Sequence, residues 1–175
     1  IRKDHAYSQI RDLVASGKYD IFLNLCDGAR DEDRAGVEVV EALETFNVPY
    51  TGVNVQYFEP TKIEMKMVAF AEGIKFPGYV HALTFEDVNR AAQSLRYPLI
   101  VKHPSGYSSI SMRKTSKCMN ESELHNEAEI FMSQFGSVLI EEFIEGREAT
   151  ILAYETENEN EILAFEPIQV NFPPN

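Results

Sequence analysis

The side chains best suited to chemistry are lysines, small hydroxyls and glutamates, set along the chain in an order that lets them meet a phosphorylated ligand. Lys62 and Lys66 stand four residues apart, so a helix brings both to one face. Lys102 ends the apolar run Tyr97-Pro98-Leu99-Ile100-Val101, where a lysine is unexpected unless its ammonium reaches a specific partner. Directly after it comes Pro104-Ser105-Gly106-Tyr107-Ser108-Ser109, a loop of small residues. Such a loop can turn backbone N–H groups and hydroxyls toward phosphate oxygens while lysines offset the charge. Farther on, Val138-Leu139-Ile140-Glu141-Glu142-Phe143-Ile144 runs apolar residues into two acids, and Glu148 follows in the next strand. Acids and backbone amides beside an apolar slot suit a purine's exocyclic amine and a ribose hydroxyl pair.

Each of these residues has a plainer reading. Taken alone, Lys62 and Lys66 are ordinary exposed lysines, and Lys102 snorkels from a strand end. The serine loop is then a hairpin turn, and Glu141, Glu142 and Glu148 are solvent-facing strand positions. The order and spacing of the whole set favour the nucleotide reading.

Several other chemistries find no support. The sequence has neither a G-x-x-x-x-G-K-[ST] loop nor a G-x-G-x-x-G turn, and no G-x-S-x-G elbow. His5, His81, His103 and His125 never fall at H-x-x-x-H spacing, so no zinc site is expected. Asp31-Glu32-Asp33 lacks the ligand spacing of a calcium loop. Sixteen basic residues against 28 acidic ones give a net charge of -12, which argues against nucleic-acid and membrane-surface partners. Cys26 and Cys118 are isolated, as packed thiols in a reducing compartment are. With no signal-peptide core and no apolar run near the roughly eighteen residues that span a bilayer, a cytoplasmic location is expected. The missing initiator Met and the abrupt end at Asn175 lead us to expect a segment of a longer protein.

The elements that must position these residues alternate between helix and strand, an α/β (α+β) pattern across 175 residues, 44% of them hydrophobic. Tyr19 to Cys26 reads as a buried strand leading into Asp27-Gly28, and Val37, Val40, Leu43 and Phe46 form the apolar face of a helix ending near Pro49. Thr61 with Glu64 is a capping box opening a helix that runs to Gly73, with Ile63, Met67 and Phe70 on its apolar face and the two lysines away from it. Thr84 with Asp87 and Asn120 with Glu123 repeat the start signal. Strands are expected at 97–102, 110–115, 137–142, 148–154 and 162–165, with the polar run from Glu155 to Glu161 as a hairpin loop.

The ordered series Pro49-Tyr50-Thr51-Gly52, Thr61-Lys62-Ile63-Glu64-Met65-Lys66, Pro98 to Lys102, Ser108-Ser109-Ile110-Ser111-Met112 and Leu139 to Glu148 resembles the ATP-grasp fold, and within it the D-alanine–D-alanine ligase group. The resemblance implies the tail of a Rossmann-like pre-ATP-grasp domain over 1–58. A first ATP-grasp lobe with the phosphate-binding loop would follow over 59–136, and the start of a second lobe over 137–175. Carried over by position, Lys62 and Lys102 contact the phosphates of ATP, and Ser109 offers them its backbone amide. Glu141 and the backbone of Glu142, Phe143 and Ile144 face adenine, and Glu148 takes the ribose. Ser108 matches a serine that organises the substrate end of the site.

The sequence departs from the family at Tyr107 and Ser111, where members usually carry glycine, and at Asn24 to Gly28, which lacks the usual His-Gly start. The family's Mg²⁺ ligands fall beyond the position of Asn175, so no metal ligand is expected in this chain. The implied activity is ATP-dependent joining of a carboxylate and an amine through an acyl phosphate, with amino-acid substrates and a homodimer among the implied assemblies. Two other readings stay open: a non-catalytic nucleotide-binding module, favoured by the altered glycines, and a structural fragment that binds nothing firmly.

Overall fold

The computed structural model describes residues 1–30, 33–105, 111–156 and 161–171. The chain divides into two compact units, Ile1–Glu142 and Phe143–Asn175.

The first unit opens with a helix that the sequence reading did not anticipate, α1 (Ala6–Ala15), packed against α2 (Val37–Thr45). Ala6 and Ile10 meet Val39, Ala42 and Leu43, with Leu13, Val14 and Phe46 around them. The stretch expected as a buried strand from Tyr19 to Cys26 makes a single parallel bridge, Phe22 to Tyr50. Phe22 and Cys26 join the helix core while Ile21, Leu23 and Leu25 are exposed. Only one face is buried, because the chain here packs on helices from one side. Gly28 and Gly36 form a second parallel bridge, in which a Cβ on either residue would overlap a facing backbone carbonyl. Glycine is required there by close approach of the two chains.

Helix α3 (Lys62–Ala71) begins at the expected capping box: Thr61 Oγ1 accepts from the Glu64 N–H at 3.1 Å, and Glu64 accepts from the Thr61 N–H at 2.7 Å. Beyond it lies a four-stranded sheet of β1 (Tyr79–Ala82), β2 (Leu99–Lys102), β3 (Lys117–Cys118) and β4 (Val138–Glu142). The spatial order is β1-β4-β2-β3, antiparallel throughout. Helices α4 (Phe85–Ser94) and α5 (Glu121–Phe135) share one core with the sheet: Val88, Ala91, Leu124, Ala128 and Phe131 pack with Leu99, Val101, Val138 and Ile140. Helix α4 starts at the second expected capping box, Thr84 with Asp87. At α5 Asn120 caps the Glu123 N–H, but Glu123 reaches back to the Met119 N–H, one residue before the expected partner.

The strand expected over 110–115 forms later and shorter. Ser111 has a left-handed backbone (φ 61), a 3-10 turn covers Lys114–Ser116, and pairing with β2 is limited to Lys117 and Cys118. Cys118 is fully buried, which pushes its thiol up to about 12 and keeps it unreactive.

In the second unit the strand expected at 148–154 divides into β5 (Glu148–Thr150) and β6 (Ala153–Glu155). β5 pairs antiparallel with β8 (Ile168–Val170), and β6 with β7 (Ile162–Ala164). The Thr156 N–H donates to the Glu161 carbonyl at 3.0 Å, so the polar run links two paired strands as a hairpin does.

Candidate functional site

Alternation along β2 and β4 decides what the sheet offers on the face away from α4 and α5. Leu99, Val101, Val138 and Ile140 turn into the helix-covered core. Ile100, Lys102, Leu139 and Glu141 therefore turn the other way, since successive side chains alternate. The register sets Glu141 opposite Tyr79 on one side and Ile100 on the other. Lys102 is the same-face residue two positions beyond Ile100, diagonal to Glu141 and within reach of a long side chain.

Helix α3 supplies the rest. Its first backbone N–H, on Lys62, donates to the Pro104 carbonyl at 3.1 Å, which ties the helix start to the chain leaving β2. One turn later Lys66 is the buried residue of the helix. Its Nζ lies 2.9 Å from Glu141 Oε1, while Lys102 Nζ lies 2.6 Å from Glu141 Oε2. The Lys66 ammonium also sits 5.4 Å from the Phe76 ring centroid and 5.1 Å from that of Tyr79. The Glu141 side chain is 5% exposed, that of Lys66 10% and that of Lys102 26%.

This reverses the face expected for α3. Met67 and Phe70, expected inside, are exposed, Phe70 by 77%. Burying a lysine is unfavourable unless the charge is paired. Glu141 and two aromatic rings provide that pairing, and the helix rolls to reach them.

The electrostatics follow from this crowding. Burial pushes the Glu141 carboxyl up, but hydrogen bonds and charge from Lys102 and Lys66 outweigh it and hold the group below its usual range. Lys62 is pushed down, first by burial and then by repulsion from Lys102, with Glu141 partly opposing. Lys62 thus lies within electrostatic reach of Lys102 and Glu141. Among these four side chains the basic groups outnumber the acid.

The other anticipated residues sit as follows. Glu142 turns its carboxylate to Arg96, whose Nη2 lies at 2.8 Å, and is held below its usual range by that contact. Phe143, Ile144 and Glu148 belong to the second unit, where Ile144 is exposed and Glu148 opens β5 opposite Val170. Ser108 and Ser109 lie outside the described residues. The structure therefore brings Lys62, Lys102 and Glu141 together and adds Lys66, which the sequence reading noted but assigned no role. A signal for it existed: its place one turn after Lys62 on the same helix face.

A second buried acid lies on α5, with no motif in the sequence to mark it. Glu127 on α5 accepts from Ser116 Oγ at 2.8 Å, and Arg113 Nη2 lies 3.0 Å away. This clamp holds the turn after Ser111 against the helix. Among the described residues no group of three His, Cys, Asp or Glu side chains gathers in a way that would hold a metal ion. No described helix is long and apolar enough to cross a membrane.

Comparison with known proteins agrees with this architecture. The family described as D-ala D-ala ligase C-terminus matches residues 64–172. A D-alanine–D-alanine ligase of Bordetella avium is 30% identical over 150 residues, covering 85% of this chain and 45% of its own length. The chain thus spans about 45% of the length of that relative. Among solved structures, the VanG D-Ala:D-Ser ligase of Enterococcus faecalis superposes with a TM-score of 0.69 at 20% identity, covering 87% of this chain and 43% of that one. A D-alanine–D-alanine ligase of Bacillus anthracis complexed with ATP gives 0.56 at 20% identity, covering 94% and 57%. The chain belongs to the D-alanine–D-alanine ligase C-terminal family and has its α/β ATP-grasp fold.

Proposed function

We propose that this chain supplies the nucleotide-holding part of a cytoplasmic ATP-dependent carboxylate–amine ligase acting on D-alanine or a similar amino acid. The observation that carries the reading is the gathering of Lys62, Lys66 and Lys102 around one buried carboxylate in a member of this family. Such an excess of positive charge on a sheet face suits a polyanion.

In this reading Lys62 and Lys102 hold the triphosphate and Ser109 adds its backbone amide, with Ser108 at the substrate end. Glu141 and the backbone of Glu142, Phe143 and Ile144 meet adenine, and Glu148 the ribose. Residues 1–58 act as the tail of the preceding domain, 59–136 as the first lobe and 137–175 as the start of the second. The substrate carboxylate attacks the γ-phosphate to give an acyl phosphate and ADP, and the amine of a second amino acid then displaces phosphate. Two anions must meet for this, so the lysines lower the barrier by offsetting charge on the transferring group. Mg²⁺ would add further neutralisation, but Glu141 is committed to lysines, and no described residue set fits the ion. Ligation is a property of enzymes about twice as long as this chain, and a homodimer is the assembly we expect for the whole protein.

Phosphate release from ATP by the full-length protein tests the activity. D-Alanine should stimulate it, and Lys102→Ala should abolish the stimulation. An ATP turnover indifferent to every D-amino acid would remove the ligase reading. A second reading, a nucleotide-binding module without catalysis, is favoured by Tyr107 and Ser111 in place of glycine. It predicts nucleotide binding with no such turnover.

A further inference from the structure

We propose that Lys66 is a positioning residue, a standing counter-ion for Glu141 that leaves Lys102 able to move to an incoming anion. The inference rests on the nucleotide reading above and adds to it a role for a side chain that contacts no phosphate.

The two lysines occupy different oxygens of one carboxylate, Lys66 on Oε1 and Lys102 on Oε2. Lys102 can therefore leave its own oxygen without taking the one that Lys66 holds. They are also unequal. Lys66 is the more deeply buried, and its ammonium is flanked by the Phe76 and Tyr79 rings. Lys102 is more exposed and ends its strand beside the loop that begins at Pro104. The Lys66 contact is thus fixed by helix and rings, whereas the Lys102 ammonium is the one free to be shared.

Consider Lys102 turning toward a phosphate. With Lys66 present, Glu141 keeps a partner at 2.9 Å. Without Lys66 the same move strands a buried carboxylate, which is strongly unfavourable. Lys102 then stays on Glu141, and the anion loses its best contact. Lys66 acts on the ligand only through this competition.

The distinguishing experiment is a pair of variants read two ways. In the chain without ligand, acetylation of Lys102 by a limiting acylating reagent, followed by peptide mass spectrometry, should slow at least threefold in Lys66→Met. It should recover in Lys66→Met/Glu141→Gln, where no buried charge demands a partner. ATP affinity should fall at least tenfold in Lys66→Met. It should return in the double variant to within about threefold of Glu141→Gln alone. Thermal unfolding checks that the variants fold, and Lys66→Gln replaces Lys66→Met if the latter does not. Unchanged Lys102 labelling in the single variant overturns the proposal. So does a double variant as weak as the single one, because that is the result of direct phosphate contact or of simple misfolding. If the unaltered protein binds no ATP, the nucleotide reading fails alone, and the labelling result still decides the role of Lys66.

Discussion

Glu127 and Glu141 are both acids sunk in the same unit, 3% and 4% exposed, yet they are held in opposite ways. Glu127 has one guanidinium, from Arg113, which balances its charge, and one hydroxyl, from Ser116, both on its Oε1. Arginine stays charged, and this contact joins a turn to α5. Glu141 has two ammonium groups on it and a third within reach. Lysines are point charges on flexible stems, and here they exceed what one carboxylate needs. The first arrangement pairs one cation with one acid, whereas the second sets several ammonium groups about a single carboxylate. Burial of an acid therefore says little about function until the charges around it are counted.

Glu127→Ala leaves Ser116 and the buried side of Arg113 without their partner and should destabilise the chain by about 3 kcal/mol in urea unfolding. Nucleotide affinity should stay within twofold, and a large loss there would make the two acids functionally alike. Next comes Lys102→Ala, which removes a charge-assisted contact and should weaken ATP binding by roughly 1.5–3 kcal/mol, read by calorimetry.

Lys62→Met should show opposite signs in two assays. The Lys62 ammonium is disfavoured by burial and by Lys102, so its folded pKa lies below the unfolded one. Its charge therefore opposes folding at neutral pH, and that penalty fades as pH rises through the folded value toward the unfolded one. The variant should gain stability near pH 7 while losing affinity for ATP. A loss in both assays would mean that Lys62 is a structural residue.

Glu141 carries the pH dependence. Its folded pKa is depressed, so the stability it confers is present above its ordinary unfolded value, about 4.3. That contribution is lost as pH falls below this value and through the folded one. The melting temperature of Glu141→Gln should decline less than that of the parent over this acid range. Smallest is Ser111→Gly: serine there holds a left-handed backbone that glycine adopts without strain. Thermal unfolding should show a gain of at most about 1 kcal/mol, offset by the freer unfolded chain.

Local features were the legible ones. Thr61 with Glu64 and Thr84 with Asp87 could be read directly, because a cap is settled within one turn of chain. The apolar runs into Lys102 and Glu141 formed strands, since each run carries its own strand signal, while their pairing is long-range. What escaped depends on distant neighbours. The roll of α3 is decided by Glu141, 75 positions after Lys66, and outweighs the apolar pattern of Met67 and Phe70. β1, β3 and the one-sided packing of residues 19–26 likewise depend on what lies alongside them. Helix α1, by contrast, carries a local signal in the spacing of Ala6, Ile10 and Leu13.

The central claim is that the lysines around Glu141 form an anion site, and equilibrium binding tests it most directly. Titrating ATP with Mg²⁺ into the chain and into Lys62→Met/Lys102→Ala should give saturable heat with the first and at least a hundredfold weaker binding with the second. Equal affinity in both would show that the phosphates bind elsewhere, and the account would fail at its foundation.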